Sequence, residues 1–216
     1  MSKPLRTAII GLSSTAATSW ASAAHLPALL TATGRSKLPI TALLNSSVDA
    51  AKSSIKEYKL DPTTKAYGKP EDLGKDEDVD LVICVTRVDK HYETILPSIK
   101  AGKDVYVEWP IAANPSEINS LVEEAKKSGS KVAVGLQGRW APPVIKLQEL
   151  LKEGKLGKVL SSEVRIYGGT NDREILPEAL RYFAQREIGG NPIVINYGHG
   201  KLNPACSSVQ QQRREV

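Results

Sequence analysis

Near the middle of the chain, DVYVEWPIAANP (104–115) sets an apolar run against an acid, Glu108, followed by Trp109 and Pro110. A carboxylate at the tip of a strand can accept hydrogen bonds, so the segment reads as the floor of an active site, yet no residue at its tip easily moves a proton. Its neighbour cannot share proton chemistry: an indole N–H donates a hydrogen bond but is no base near neutral pH. The pattern implies either an enzyme with an unusual proton path or a site that binds without reacting.

A second candidate lies near the start. The first apolar run, 7–12, leads into GLSSTAATSW (11–20). A G-x-G-x-x-G fingerprint uses its glycines for a tight turn and for close approach of backbone to pyrophosphate. Here Gly11 is present, Ser13 stands where the second glycine would be, and the loop is long. Backbone N–H groups around Gly11, Leu12 and Ser13, the Ser and Thr hydroxyls and the next helix N-terminus suit phosphate oxygens. A plain capped turn between strand and helix is the alternative. The second apolar run ends in Asn45, Ser46 and Ser47, with no carboxylate before Asp49. An acid there grips the adenosine ribose, and without one a 2′-phosphate is not repelled. Hydroxyls and a cation such as Lys52 could receive it, which favours NADP as cofactor with NAD as the alternative. The same residues also suit a helix N-cap.

The elements that must carry these residues follow from periodicity. Apolar runs at 7–12, 40–45, 80–85, 104–107 and 131–136 alternate with helical patterns at 21–33, 49–58, 91–101 and 115–128. Such alternation predicts βαβ units and a parallel sheet covered on both faces. The expected fold class is α/β: a Rossmann-type doubly wound parallel sheet, with its ligand beyond the carboxyl ends of the strands. After Gly138 the pattern changes to one helix, 142–153, one alternating run, 159–167, and irregular sequence from Gly168 onward. A lone strand makes no sheet. The expected domains are 1–137, binding NAD(P), and 138–216, an incomplete α/β C-terminal domain for substrate and oligomerisation.

Charge sets further bounds. The 29 Lys and Arg against 24 Asp and Glu are scattered rather than gathered into a stripe, so a direct nucleic-acid surface is not expected. Cys84 and Cys206 match no metal spacing, and Cys84 within an apolar run reads as a buried hydrophobe. No segment approaches the roughly 20 apolar residues needed to cross a bilayer. A cytoplasmic protein is expected, nuclear if it regulates transcription.

Four segments together, AAHLPALL (23–30), 80–112, LQGRWAPPVIKLQELLKEGKLGKV (136–159) and INYGHG (195–200), resemble the glucose–fructose oxidoreductase and inositol dehydrogenase family, Gfo/Idh/MocA. Within it they look closest to the galactose-pathway transcriptional repressor branch. The resemblance implies an NAD(P)-binding Rossmann domain, then an α/β domain whose open sheet closes the active site and often forms the oligomer interface. It puts Thr86, Val88 and His91, with His91 opening its helix, beside the nicotinamide ribose, and Glu108 and Trp109 at the family's Glu-Lys-Pro motif. Trp109 takes the place of the lysine that assists proton transfer. Arg139 and Trp140 fall where relatives line the substrate pocket, and His25 is read as structural. His199 matches a catalytic histidine, but Ile195 stands where its aspartate would be; Tyr197, His199 or Lys201 is left to supply the relay. The implied function is an NAD(P)-dependent oxidoreductase acting on a sugar-like or other small hydroxy or carbonyl compound. The alternatives are a non-catalytic NADP-binding regulator that meets a protein partner, or a truncated inactive product with an incomplete oligomer interface, since the pattern departs from the family after His199.

Overall fold

Strand residues that are apolar on both sides can be satisfied only between two layers of helix, and that is how the first part of the chain folds. The structure, a computed structural model, describes residues 3–16, 19–161, 163 and 178–190. Six strands, β1 (Thr7–Ile10), β2 (Ile40–Leu44), β3 (Lys65–Tyr67), β4 (Leu81–Cys84), β5 (Asp104–Glu108) and β6 (Val132–Gly135), form one sheet in the order β3-β2-β1-β4-β5-β6. The recorded pairings among β1 to β5 are all parallel. The connecting helices are α1 (Leu26–Leu29), α2 (Ala32–Lys37), α3 (Val48–Glu57), α4 (Pro70–Gly74), α5 (Val88–Lys100) and α6 (Pro115–Ser128), with a π-helical turn, Ala21–His25, leading into α1. This is the expected doubly wound α/β fold.

Alternate residues of each strand feed separate cores. Ala8, Ile10, Leu44, Val82, Cys84, Val105 and Val107 pack with Ile95, Ile99 and Leu121 from α5 and α6. Ile9, Leu43 and Ile83 face Leu12, Leu26, Leu29 and Ala51 on the other side. Truncating a fully buried residue such as Ile95 or Ile99 to alanine costs about 2–5 kcal/mol in cores of this kind.

The expected elements need several corrections. The helix expected over 21–33 is broken: Thr31 is extended, and its side chain accepts from Gly34 N to cap α2. The helix expected to open at His91 begins at Val88, with Arg87 extended as its N-cap and Asp89 in its first turn. β3 and α4 were not foreseen. Of the alternating run at 159–167, residues 159–161 are not strand, and most of the remainder lies outside the described residues. Within 168–216, the described part holds 3-10 turns at Glu178–Ala184 and Arg186–Ile188.

The chain divides into two compact units, 1–134 with 187–189, and 135–186 with 190–216. In the second, α7 (Pro142–Lys152) follows a 3-10 turn, Gln137–Trp140, and buries none of its residues. Among the described residues no helix is long and apolar enough to cross a membrane.

At the amino end of the sheet, Arg6 ties β1 to β4. Its guanidinium grips both oxygens of Asp80 at 2.9 Å, and its backbone N–H adds a third bond at 2.9 Å. The Arg6 hydrogen bond holds the Asp80 carboxyl down at about 2, below its ordinary 3.8. A carboxyl with a depressed folded pKa stabilises the fold above its unfolded pKa and loses that contribution as pH falls through the folded value. Asp80→Asn is therefore expected to cost about 1 kcal/mol at neutral pH, less than the full shift implies because the pair is partly exposed. Denaturant midpoints of the two proteins should converge as pH falls from about 4 to about 2; a constant gap would show that Asp80 acts by packing alone.

Candidate functional site

The strand order reverses between β1 and β4, and this switch point is where a doubly wound sheet opens a crevice at its carboxyl ends. Gly11 follows β1 there with φ +91°. A Cβ on it would lie 2.7 Å from Val85 O and 2.8 Å from Thr86 Cγ2, so only glycine lets the two strand ends approach this closely. Beyond Gly11, Leu12 turns its side chain into the core at 0% exposure and offers a ligand only backbone. Its carbonyl accepts from Asn45 Nδ2 at 2.9 Å, and the Ser13 carbonyl accepts from the Tyr58 hydroxyl at 2.9 Å. The loop is thus fastened to β2 and α3.

Asn45 does more than fasten. Its Nδ2 also faces Ala50 O at 3.3 Å and Ser54 Oγ at 3.1 Å, three acceptors that fix the amide orientation. Oδ1 is left buried with no partner among the described residues. A buried acceptor at the end of the second strand suits a hydroxyl donor. Ser47 caps α3 by accepting from Ala50 N at 3.1 Å, as its alternative reading held, while Ser46 and Lys52 stay exposed.

At the end of β5 the geometry adds a partner that the sequence did not reveal. His25 Nε2 lies 2.6 Å from Glu108 Oε1. The pair sits in a place where the Glu108 side chain is 8% exposed and that of His25 17%. Tyr106 meets the His25 ring edge-on at 5.6 Å between centroids. His25 ends the π-helical turn, a geometry that recurs at functional sites. The other carboxylate oxygen, Oε2, is buried without a partner among the described residues. Burial, and then the Glu108 charge, push the Tyr106 hydroxyl up to about 12.

His91, carried over as a cofactor contact, is 1% exposed, with both ring nitrogens facing loop carbonyls. Its Nδ1 is 2.8 Å from Pro110 O and its Nε2 2.9 Å from Thr86 O. Both partners only accept, so a neutral ring satisfies one and turns a lone pair on the other. Burial nonetheless drives the ring's pKa down, away from the charged form that would satisfy both. His91 thereby joins the loop after β4 to the loop after β5. Val88 is likewise core at 4% exposure, whereas Thr86 is half-buried beside Gly11. Cys84 is a buried free thiol between Thr86 and Thr94, with its pKa raised by burial. Trp109 is half-buried, joined to Pro110 by a cis peptide. Arg139 and Trp140 stand in the second unit, Trp140 at 74% exposure. Tyr197 and His199, with Ile195, Lys201 and Cys206, lie outside the described residues. No cluster suited to a metal ion occurs among the described residues.

Residues 5–136 match GFO_IDH_MocA, an oxidoreductase family with an NAD-binding Rossmann fold. The chain belongs to the Gfo/Idh/MocA family. Among its Gfo/Idh/MocA-like relatives, dehydrogenase aclE of Aspergillus oryzae is 36% identical over 92% of this chain and 53% of its own length. The galactose/lactose metabolism regulatory protein GAL80 of Saccharomyces cerevisiae is 27% identical over 91% of this chain and 45% of its own. A super-repressor mutant of Gal80p from the same yeast superposes with a TM-score of 0.64 at 27% identity, covering 72% of this chain and 40% of that one. The chain spans about half the length of the curated relatives it matches.

The residues present fit a dinucleotide of the kind the family binds. Gly11 allows backbone to approach, Asn45 Oδ1 and Glu108 Oε2 are buried acceptors without a donor among the described residues, and both lie at carboxyl ends of strands in the same sheet.

Proposed function

We propose that this chain holds NADP across the β1/β4 switch point and serves hydride transfer on a sugar-like or other small hydroxy or carbonyl compound. The observation that carries this reading is Gly11, whose contact with Val85 and Thr86 shapes the turn at the crevice. Gly11, Leu12 and Ser13 would meet the pyrophosphate through backbone groups, and Asn45 Oδ1 would accept from a ribose hydroxyl. Ser46 and Lys52, exposed where β2 ends without a carboxylate, favour a 2′-phosphate and hence NADP over NAD. The dinucleotide supplies the hydride chemistry; the chain's own part is to bind, orient and manage a proton. Thr86, Glu108 and Trp109 line the second half of the crevice. Arg139 and Trp140 on the substrate side, and Tyr197 and His199 as proton-handling groups, belong to the same reading, within a C-terminal substrate domain starting at about Gly138.

Trp109 favours a second reading, a regulator that binds the dinucleotide and a protein partner without turnover, as an indole cannot replace the motif's ammonium group. Calorimetric titration with NADP, NADPH and NAD, followed by an absorbance assay of the reduced nicotinamide with a panel of sugars and ketones, separates the two. Binding with turnover is expected. Binding without any absorbance change supports the regulator, and tighter NAD than NADP binding overturns the 2′-phosphate assignment.

A further inference from the structure

We propose that the Glu108 carboxylate makes this crevice discriminate between the two redox states of the nicotinamide, holding the cationic oxidised ring more tightly than the neutral reduced one. The inference rests on the dinucleotide reading above and names what that site senses.

In a sheet of order 3-2-1-4-5-6 the adenosine half of a dinucleotide lies over the β2 side, where the second strand's last residue meets the ribose. The nicotinamide half is left for the β4 and β5 side. Glu108 ends β5, one residue beyond Val107, which pairs with Cys84 at the end of β4. Its charge is incompletely balanced there. Oε1 lies 2.6 Å from His25 Nε2, and Oε2 meets no N–H or O–H among the described residues although it is buried. Trp109 occupies the adjacent position where the family motif places an ammonium group. The other imidazole nearby, His91, is pushed toward its neutral form by burial. The field of Glu108 is felt across the strand ends, adding to the upward pressure on the Tyr106 hydroxyl and the Cys84 thiol.

The state of His25 does not reverse the argument. With a neutral ring the pair carries a full negative charge; with a protonated ring it is a dipole whose negative end is Glu108. Either arrangement favours a ring that carries positive charge, and attraction in a poorly solvated site exceeds that in water. The reduced ring gains nothing from it. A site built this way reports on the ratio of oxidised to reduced dinucleotide whether or not it turns substrate over.

The test measures binding and needs no activity. Dissociation constants for NADP⁺ and NADPH are determined by calorimetry on the wild-type chain, Glu108→Gln and Glu108→Asp, with circular dichroism to verify folding. The wild type is expected to bind the oxidised form about tenfold more tightly, a factor well within reach of a unit-charge interaction at close range. Glu108→Gln should bring the ratio to about one by weakening NADP⁺ alone, and Glu108→Asp should keep the preference. Equal wild-type affinities overturn the proposal without reference to any variant, as does a preference that survives Glu108→Gln or vanishes in Glu108→Asp. If neither form binds, the dinucleotide reading itself fails, an outcome distinct from binding without discrimination.

Discussion

Gly11→Ala is expected to lower stability by about 2–4 kcal/mol and to weaken dinucleotide binding at least about 100-fold. Two independent costs combine. At φ +91° an L side chain is strained wherever it sits. The new methyl would also press on the backbone oxygen of Val85 at 2.7 Å, and backbone in a parallel strand pair cannot swing aside as a flexible side chain can. Relief requires β1 and β4 to part at their carboxyl ends, where Val85 N donates to Ile10 O at 2.9 Å. That movement disturbs Thr86, the carbonyl that His91 grips, and the first turn of α5. Thermal melting would register the stability loss, and titration of the folded fraction with NADPH the binding loss. Unchanged binding by a destabilised but folded variant would show that the ligand does not use this turn.

Much of that geometry could be read from the chain. β1, β2, β4 and β5 are apolar on both faces because helices cover both, and continuous runs such as LVIC and TAII announce it. The helix expected at 115–128 is α6, with Asn114 as its N-cap and Gly129 in the left-handed conformation at its end. β3 escaped notice for an equally physical reason: KAY is a three-residue edge strand with an exposed lysine, so it carries no apolar run. α4 spans only five residues, too few for a period, although Pro70 in its first turn with Glu71 and Asp72 behind it was a start signal.

The site was legible by position and not by partnership. Glu108 and Gly11 stand where strand ends predict them, yet the group that engages Glu108 is His25, 83 residues earlier in the chain. Nothing in AAHLPALL distinguishes a structural histidine from one that turns toward a distant strand; the π-helical turn that aims it is a tertiary outcome. His91 shows the same limit from the other side. The family resemblance put it beside the nicotinamide ribose, and the fold sets its ring nitrogens against two backbone carbonyls. Both histidines were resolved by hydrogen bonds that span the sheet's carboxyl end, which no local pattern encodes.

Trp109→Lys is expected to raise the rate of hydride transfer by about 100-fold or more over the parent, the range that a positioned acid or base supplies. The argument begins with what stands beside the position. Glu108 keeps one oxygen engaged with His25 and the other without a partner among the described residues, so an ammonium group introduced next to it has a buried counter-charge. Such a partner offsets the desolvation of a half-buried lysine. The lysine then has a proton to donate to a carbonyl oxygen or, once deprotonated, a lone pair for a hydroxyl proton, neither of which an indole provides. Loss of the half-buried indole costs stability, about 2 kcal/mol by area alone, so rates must be compared on folded protein. Single-turnover absorbance with a fixed dinucleotide load isolates the chemical step from binding. A lysine variant that binds NADPH as the parent does but turns over no faster would mean that the absent ammonium group is not what limits the site. Weight would then shift to the regulatory reading, in which a bound dinucleotide is the signal and no substrate follows it.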